Sequence, residues 1–223
     1  MTARGSAHRV IAIDGPAASG KSSVARELAR QLGFDYVNSG AMYRAVTWHV
    51  LENAIAPGDG NAIARLVEDT RIDCTLDRDG SCILINGVDP EKHLRDDRVN
   101  EEVSSVSSVP RVREILVEKM RAYARDHDVV MEGRDIGSVV FPDTPYKFYI
   151  DASPEVRLRR RQAQGQRDEI AARDRADSSR RASPLIIAED AHVIDSSDLT
   201  IDGVVGEIIE RLKMKGMEIR ERF

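Results

Sequence analysis

Val10-Ile11-Ala12-Ile13-Asp14-Gly15-Pro16-Ala17-Ala18-Ser19-Gly20-Lys21-Ser22-Ser23 decides how this chain is read. A short apolar run enters a loop that fits the pattern G-x-x-x-x-G-K-[ST] from Gly15 to Ser22, and a helical stretch, Ser23 to Leu32, follows. The spacing has a physical reason. Glycines let backbone N–H groups turn inward around phosphate oxygens without a Cβ in the way, while Lys21 and the helix N-terminus add positive charge. A chance match in a loop rich in Gly, Ser and Ala is the rival reading, and the strand before and helix after argue against it. The segment Gly15, Pro16, Ala17, Ala18, Ser19, Gly20, Lys21, Ser22 and Ser23 is therefore expected to hold a nucleoside triphosphate, with Ser22 as the Mg²⁺ ligand.

Outward from this loop, 223 residues suffice for one sizeable α/β domain with insertions, which can bury a core without disulfide or metal support. Cys74 and Cys82 fall in a segment that reads as a hairpin; pairing centred on Asp79-Gly80 would set Ile85, not Cys82, opposite Cys74, so both read as reduced thiols. The N-terminal stretch is polar, and no run approaches the ~18 apolar residues that span a bilayer. A cytoplasmic protein, without membrane contact, is expected.

The net charge of −5 argues against general affinity for a nucleic-acid polymer, but the charge is uneven. Residues 157–181 hold nine arginines, no lysine and four acids, a local balance of +5 that leaves −10 for the remainder. Solvated helix faces mix Lys with Arg; an all-Arg choice favours planar forks that clamp phosphate oxygens at two points. At helical spacing Arg173, Asp177 and Arg180 share one face, and Arg157, Arg160 and Arg161 cluster one element earlier.

Val10–Ile13, Tyr36-Val37, Asp128–Met131, Tyr146–Ile150 and His192–Ile194 read as strands, and Ser23–Leu32, Ala41–Leu51, Asn61–Glu68, Asp97–Ser107, a stretch from Pro110 to about Arg125, and Ile201–Met214 as helices. Thr70–Leu76 and Ser81–Ile85 make a small antiparallel unit that interrupts the alternation. Alternating strands and helices predict a doubly wound parallel sheet with ligands at the carboxyl ends of the strands. Gly15, Ser39 and Glu132 all fall just after predicted strands and converge on that edge.

A triphosphate loop alone allows a switch, a motor, a transporter subunit or a small-molecule kinase. The guanine-reading Asn-Lys-x-Asp motif of switches is absent, and Val129-Val-Met-Glu132 only partly matches the acidic strand of motors and transporters. A kinase needs a second anion site and a cover that excludes water. Ser39-Gly-Ala-Met-Tyr-Arg44 at a helix start and Gly133-Arg134-Asp135 after a strand supply the first, and the arginine-rich segment the second. Ser39 as a mere helix cap and Arg44 as a surface residue remain the bland readings. Glu-Gly-Arg-Asp directly after a buried strand is a poor structural choice unless the ion cluster is used.

From about Val10 to Leu212 these motifs resemble the bacterial cytidylate kinases. The resemblance is carried by Ile13-Asp14-Gly15-Pro16 through Lys21-Ser22, Ser39-Gly-Ala-Met-Tyr-Arg44, Glu102-Val-Ser104 through Pro110-Arg-Val-Arg113, Glu132-Gly-Arg-Asp-Ile-Gly137, and Arg173 through Asp177-Ser178, Arg180 and Ser183-Pro184-Leu185. It implies an α/β P-loop fold of three layers with a five-stranded parallel sheet, a small antiparallel insert and a helical Arg-rich lid. The single kinase domain, 1–223, would divide into a core (about 8–60, 110–155, 185–223), an acceptor-binding insert (about 61–109) and a lid (about 156–184). Carried over by position, Ser104, Arg113 and Asp135 would read cytosine, Tyr43 would line the base pocket, and Arg44, Arg134 and Arg180 would hold the acceptor phosphate; Ser39 is also expected to bind CMP. Arg173 and Asp177 would hold the ribose or nearby phosphates. Lys21, Arg134, Arg173, Asp177 and Arg180 form the expected catalytic set. The implied substrates are ATP and CMP or dCMP, the cofactor is Mg²⁺, and a monomer is expected. Arg157, Arg160, Arg161, Arg175 and Arg181 receive no individual roles.

Overall fold

The fold is described from a computed structural model over residues 8–77, 80–163 and 185–219, and by backbone alone for 75–77 and 80–81. In chain order the elements are β1 (Val10–Asp14), α1 (Lys21–Leu32), β2 (Asp35–Asn38), α2 (Ser39–Glu52), α3 (Gly60–Glu68), β3 (Ile72–Asp77), β4 (Gly80–Ile85), α4 (Asp97–Ser107), α5 (Pro110–Tyr123), β5 (Val129–Gly133), β6 (Tyr146–Asp151), α6 (Pro154–Ala163), β7 (His192–Asp195) and α7 (Ile201–Met214). A single 3₁₀ turn spans Glu91–His93, and a π-helical turn spans Ile136–Val140.

The five parallel strands lie in the order β2-β5-β1-β6-β7, and β3 pairs with β4 in a separate antiparallel hairpin. Strand periodicity sorts side chains to two faces. Ile11, Ile13, Val130, Phe148, Ile150 and Ile194 pack against Val24, Leu28, Val204, Ile208 and Leu212 of α1 and α7. On the opposite face Ala12, Val37, Val129 and Met131 join Met42, Val46, Ile63, Val106, Val112 and Leu116 of α2 to α5, together with Ile72, Ile83 and Ile85 of the hairpin. The result is three layers, with the hairpin continuous with the core on one side. Full burial of a side chain such as Leu28, Phe148 or Leu116 contributes about 1.5–3 kcal/mol each.

Most expected elements are present with ends shifted by one to three residues. The helix after the loop starts at Lys21 rather than Ser23, and Pro110 divides α4 from α5, as its missing N–H and fixed φ allow only at a helix start. The hairpin register differs from expectation: Cys74 faces Ile83, Thr75 faces Cys82, and Asp77 faces Gly80. A second tight turn follows β4. Asn86 (φ 51°) and Gly87 (φ 81°) reverse the chain, with Ile85 and Val88 exchanging N–H···O bonds of 2.9 Å each. This holds Gly87 out of the ladder, and Ile85 takes the place opposite Ile72. No disulfide joins the two cysteines. No helix among the described residues is long and apolar enough to cross a membrane.

Candidate active site

The site begins where β1 ends. Gly15 has φ 155°, and a Cβ there would lie 2.1 Å from the Ile150 carbonyl oxygen, so only glycine lets the loop leave the sheet so close to β6. At the far end of the loop Gly20 opens α1 with no capping side chain, so the positive end of the helix dipole lies at the loop. Lys21 is buried, and its Nζ donates across the loop to the Pro16 carbonyl (3.1 Å). Ser22 Oγ donates to Glu132 Oε1 (2.8 Å), which also accepts from the Tyr36 hydroxyl (3.3 Å). Burial, and next the negative charge of Glu132, push the Tyr36 hydroxyl pKa well up, keeping it a neutral donor.

The next strand over, β5, carries the rest. Its residues Glu132 and Gly133 are the register partners of Ile13 and Asp14 in β1. Ser39, first residue of α2, donates its hydroxyl to the Glu132 carbonyl (2.8 Å), while Asn38 does the capping by accepting from Ala41 N (3.0 Å). Arg134 Nη1 donates to the Gly15 carbonyl (2.9 Å). Asp135, immediately after, is buried in an ion pair with Arg113 of α5, and both side chains are only 5% exposed. The Arg113 guanidinium lies over the Tyr43 ring, 5.2 Å from its centroid, and also donates to the Ser107 carbonyl (3.3 Å). Arg113 Nε is buried with no hydrogen-bond partner among the described residues.

Asp14 sits between these groups, with its carboxylate accepting from Ile136 N (2.8 Å) and Gly137 N (2.7 Å). Burial pushes its pKa up to about 6; the two N–H bonds and Lys21 pull it down, and Asp135 pushes it up. Arg44 is held by the Leu94 carbonyl (2.9 Å) and Asn100 Oδ1 (2.5 Å). Ser104 is half-buried near the end of α4, where its carbonyl accepts from Ser107 Oγ (3.2 Å). From α6, Arg157 donates to the Ala17 carbonyl (3.2 Å), and Arg160 to the Ser19 carbonyl (3.1 Å), Ser196 Oγ (3.0 Å) and the Ser196 carbonyl (2.8 Å).

Residues 11–214 match the cytidylate kinase family. The chain belongs to that family. A protein from Caldanaerobacter subterraneus subsp. tengcongensis named cytidylate kinase is 44% identical, covering 91% of this chain and 94% of its own. One of the same name from Corynebacterium efficiens is 44% identical over 90% of this chain and 93% of its own, and one from Mycobacterium avium 43% over 94% and 97%. The protein is a phosphotransferase of this kind.

Cytidylate kinase membership gives the convergence a meaning. Gly15 to Ser22, Arg134, Asp135, Arg113, Tyr43 and Ser39 meet at the carboxyl edge of β1, β2 and β5. Arg44 is tied to the segment around Leu94 and Asn100. Arg173, Asp177 and Arg180, with the rest of the expected lid beyond α6, lie outside the described residues. Three residues without an expected role belong to the site: Glu132 against Ser22, Asp14 beneath the turn after Asp135, and Arg160 on the loop. An acid closing a buried strand was the available signal for Glu132. Nothing in the local sequence marks the targets of Asp14 or Arg160, because these lie far away along the chain.

Proposed function

We propose that this protein transfers the γ-phosphoryl group of ATP to CMP, and also to dCMP, giving ADP and CDP or dCDP. The observation that carries the reading is the dipeptide Arg134-Asp135: one side chain reaches the triphosphate loop and its neighbour pairs with Arg113. Consecutive Cα atoms are about 3.8 Å apart, so the donor loop and a buried polar reader share one short piece of backbone. A carboxylate beside a guanidinium offers an acceptor and then donors, which complements the N4 amino group and the N3 and O2 acceptors of cytosine. Uracil has a carbonyl where cytosine has its amino group, and meets the carboxylate with repulsion.

In this reading Ser39, Tyr43, Arg44, Ser104, Arg113, Arg134 and Asp135 bind the acceptor, joined by Arg173, Asp177 and Arg180 from the lid. The second pKa of a phosphate monoester is about 6, so the acceptor is already largely dianionic at neutral pH and needs no general base. Its oxygen forms a bond to the γ-phosphorus as the bond to the β–γ bridging oxygen breaks and the electron pair leaves with ADP. What the protein supplies is charge and alignment: Lys21 and the N–H groups at the start of α1 hold the donor phosphates, and the arginines offset repulsion between two polyanions. Ser22 Oγ and the Glu132 carboxylate are hard oxygen donors suited to Mg²⁺. Among the described residues no group of three or more His, Cys, Asp or Glu gathers as a self-sufficient metal cage. When bound, the ion neutralises charge on the β- and γ-phosphates. The arginine-rich lid would close over both substrates and exclude water, the competing acceptor.

The arrangement is read as one domain with core, insert and lid at the boundaries given above, acting as a cytoplasmic monomer. With ATP labelled at the γ-position, Mg²⁺ and CMP, label is expected in the β-phosphate of CDP. Label released only as inorganic phosphate, at a rate indifferent to CMP, would overturn the proposal.

A further inference from the structure

We propose that Asp14 is a positioning residue for the acceptor site, whose carboxylate pins the turn carrying Arg134 and Asp135 to the triphosphate loop and thereby sets the choice of acceptor base. The proposal rests on the function proposed above, in which Arg134 and Asp135 serve the acceptor. Asp14 ends β1, is 4% exposed, and spends each carboxylate oxygen on one backbone N–H, those of Ile136 and Gly137. These are the two residues directly after Asp135. The residue directly after Asp14, Gly15, accepts from Arg134. Asp14 and Gly15, at the end of β1, thus hold Arg134, Ile136 and Gly137 on both sides of Asp135 through three hydrogen bonds.

The turn needs this anchor because its own bonding is irregular. Val139 N and Val140 N both donate to the Asp135 carbonyl (2.9 and 3.0 Å), and Phe141 N donates to that of Ile136 (2.7 Å). In such a short π-helical turn the leading N–H groups have no partner within the turn, and Asp14 satisfies two of them. An asparagine would offer one acceptor oxygen and aim an N–H₂ at the second donor. Close approach is part of the fit: a Cβ on Gly137 would lie 3.4 Å from Asp14 Oδ2 and 3.2 Å from the Lys147 stem. Burial disfavours a carboxylate here, with Lys21 as its nearby cation and Asp135 as a nearby like charge. The phosphoryl transfer proposed above gives Asp14 no part, and each of its carboxylate oxygens accepts one N–H of the turn. The residues it fixes, Ile136 and Gly137, directly follow the Arg134-Asp135 pair that serves the acceptor.

The test compares wild-type protein with Asp14→Asn and Gly137→Ala. The readouts are KM for CMP, the kcat/KM ratio of CMP to UMP, binding of ATP alone, and thermal unfolding. Asp14→Asn is expected to raise KM for CMP about tenfold or more and to narrow the CMP-to-UMP ratio severalfold, with ATP affinity changed less than about twofold. Gly137→Ala, which displaces the turn while keeping the carboxylate, is expected to give the same pattern more weakly. It carries the test if Asp14→Asn does not fold. A folded Asp14→Asn with unchanged KM and ratio overturns the proposal. So does an equal loss of ATP and CMP binding, which would place the effect at Lys21 and the donor loop. A Gly137→Ala with wild-type values also overturns it where Asp14→Asn is unfolded. Wild-type protein that phosphorylates no CMP defeats the proposed function instead, a result separable from all of these.

Discussion

Asp135 and Arg113 are buried together, so a substitution at either leaves an ion where water cannot reach it. Breaking such a pair by removing one charge costs about 3–5 kcal/mol. Asp135→Asn is therefore expected to lower stability in denaturant unfolding and, because an amide can turn a donor toward uracil, to narrow the CMP-to-UMP preference; an unchanged ratio would remove Asp135 from base reading. Asp14 gives a prediction of a different kind. Its folded pKa, about 6, lies above the ordinary 3.8, so the folded state holds the proton more tightly than the unfolded chain. Stability from this group is complete below pH 3.8 and is lost as pH rises through 6. Relative to Asp14→Asn, wild-type unfolding free energy should fall by about 3 kcal/mol between pH 3.5 and 7, at about 1.4 kcal/mol per pKa unit. A difference that does not vary with pH would contradict the burial argument. Lys21, Ser22 and Asp135 were legible from sequence because a local spacing or a strand end marks them. Asp14 and Glu132 act on groups 122 and 110 residues away, and only the pairing of β1 with β5 brings these within reach.

At the scale of elements, α6 acts as a brace on the triphosphate loop. Arg160 spans from the Ser19 carbonyl to Ser196 after β7, so one side chain ties the loop to the far edge of the sheet. Arg160→Met keeps much of the apolar stem and removes these charge-assisted bonds, each worth about 1.5–3 kcal/mol where buried and less where solvent reaches. KM for ATP should rise about tenfold with the CMP-to-UMP ratio unaltered, and an unchanged KM for ATP would show that the brace is dispensable. The alternation of strands and helices was plain from periodicity, since each strand alternates faces and each helix presents one stripe to the sheet. The π-helical turn was not, because Ile136-Gly-Ser-Val-Val140 has neither period, and its geometry is imposed by Asp14 from another strand. The hairpin register lies two residues away from a pairing centred on Asp79-Gly80, with Cys74 opposite Ile83 rather than Ile85.

Across the whole molecule, the distribution of charge matches the chemical task. Residues 157–181 carry a surplus of five positive charges in a chain whose net charge is −5, and the first of these arginines already touch the donor loop. A reaction between two polyanions needs cations concentrated where they meet and little elsewhere, since a general positive surface would attract nucleic acid. Three groups of residues distant in sequence then converge on one sheet edge: the loop after β1, the start of α2, and the turn after β5. Their convergence predicts an acceptor-selective kinase. The most direct measurement is ADP production from ATP and Mg²⁺ with CMP, dCMP, UMP, AMP and GMP supplied separately, beside a control without acceptor. Strong preference for CMP, with little ADP in the control, is the predicted result. Preference for another nucleotide would displace Asp135 and Arg113 as readers of cytosine, and ADP production independent of acceptor would contradict phosphoryl transfer to a nucleotide altogether.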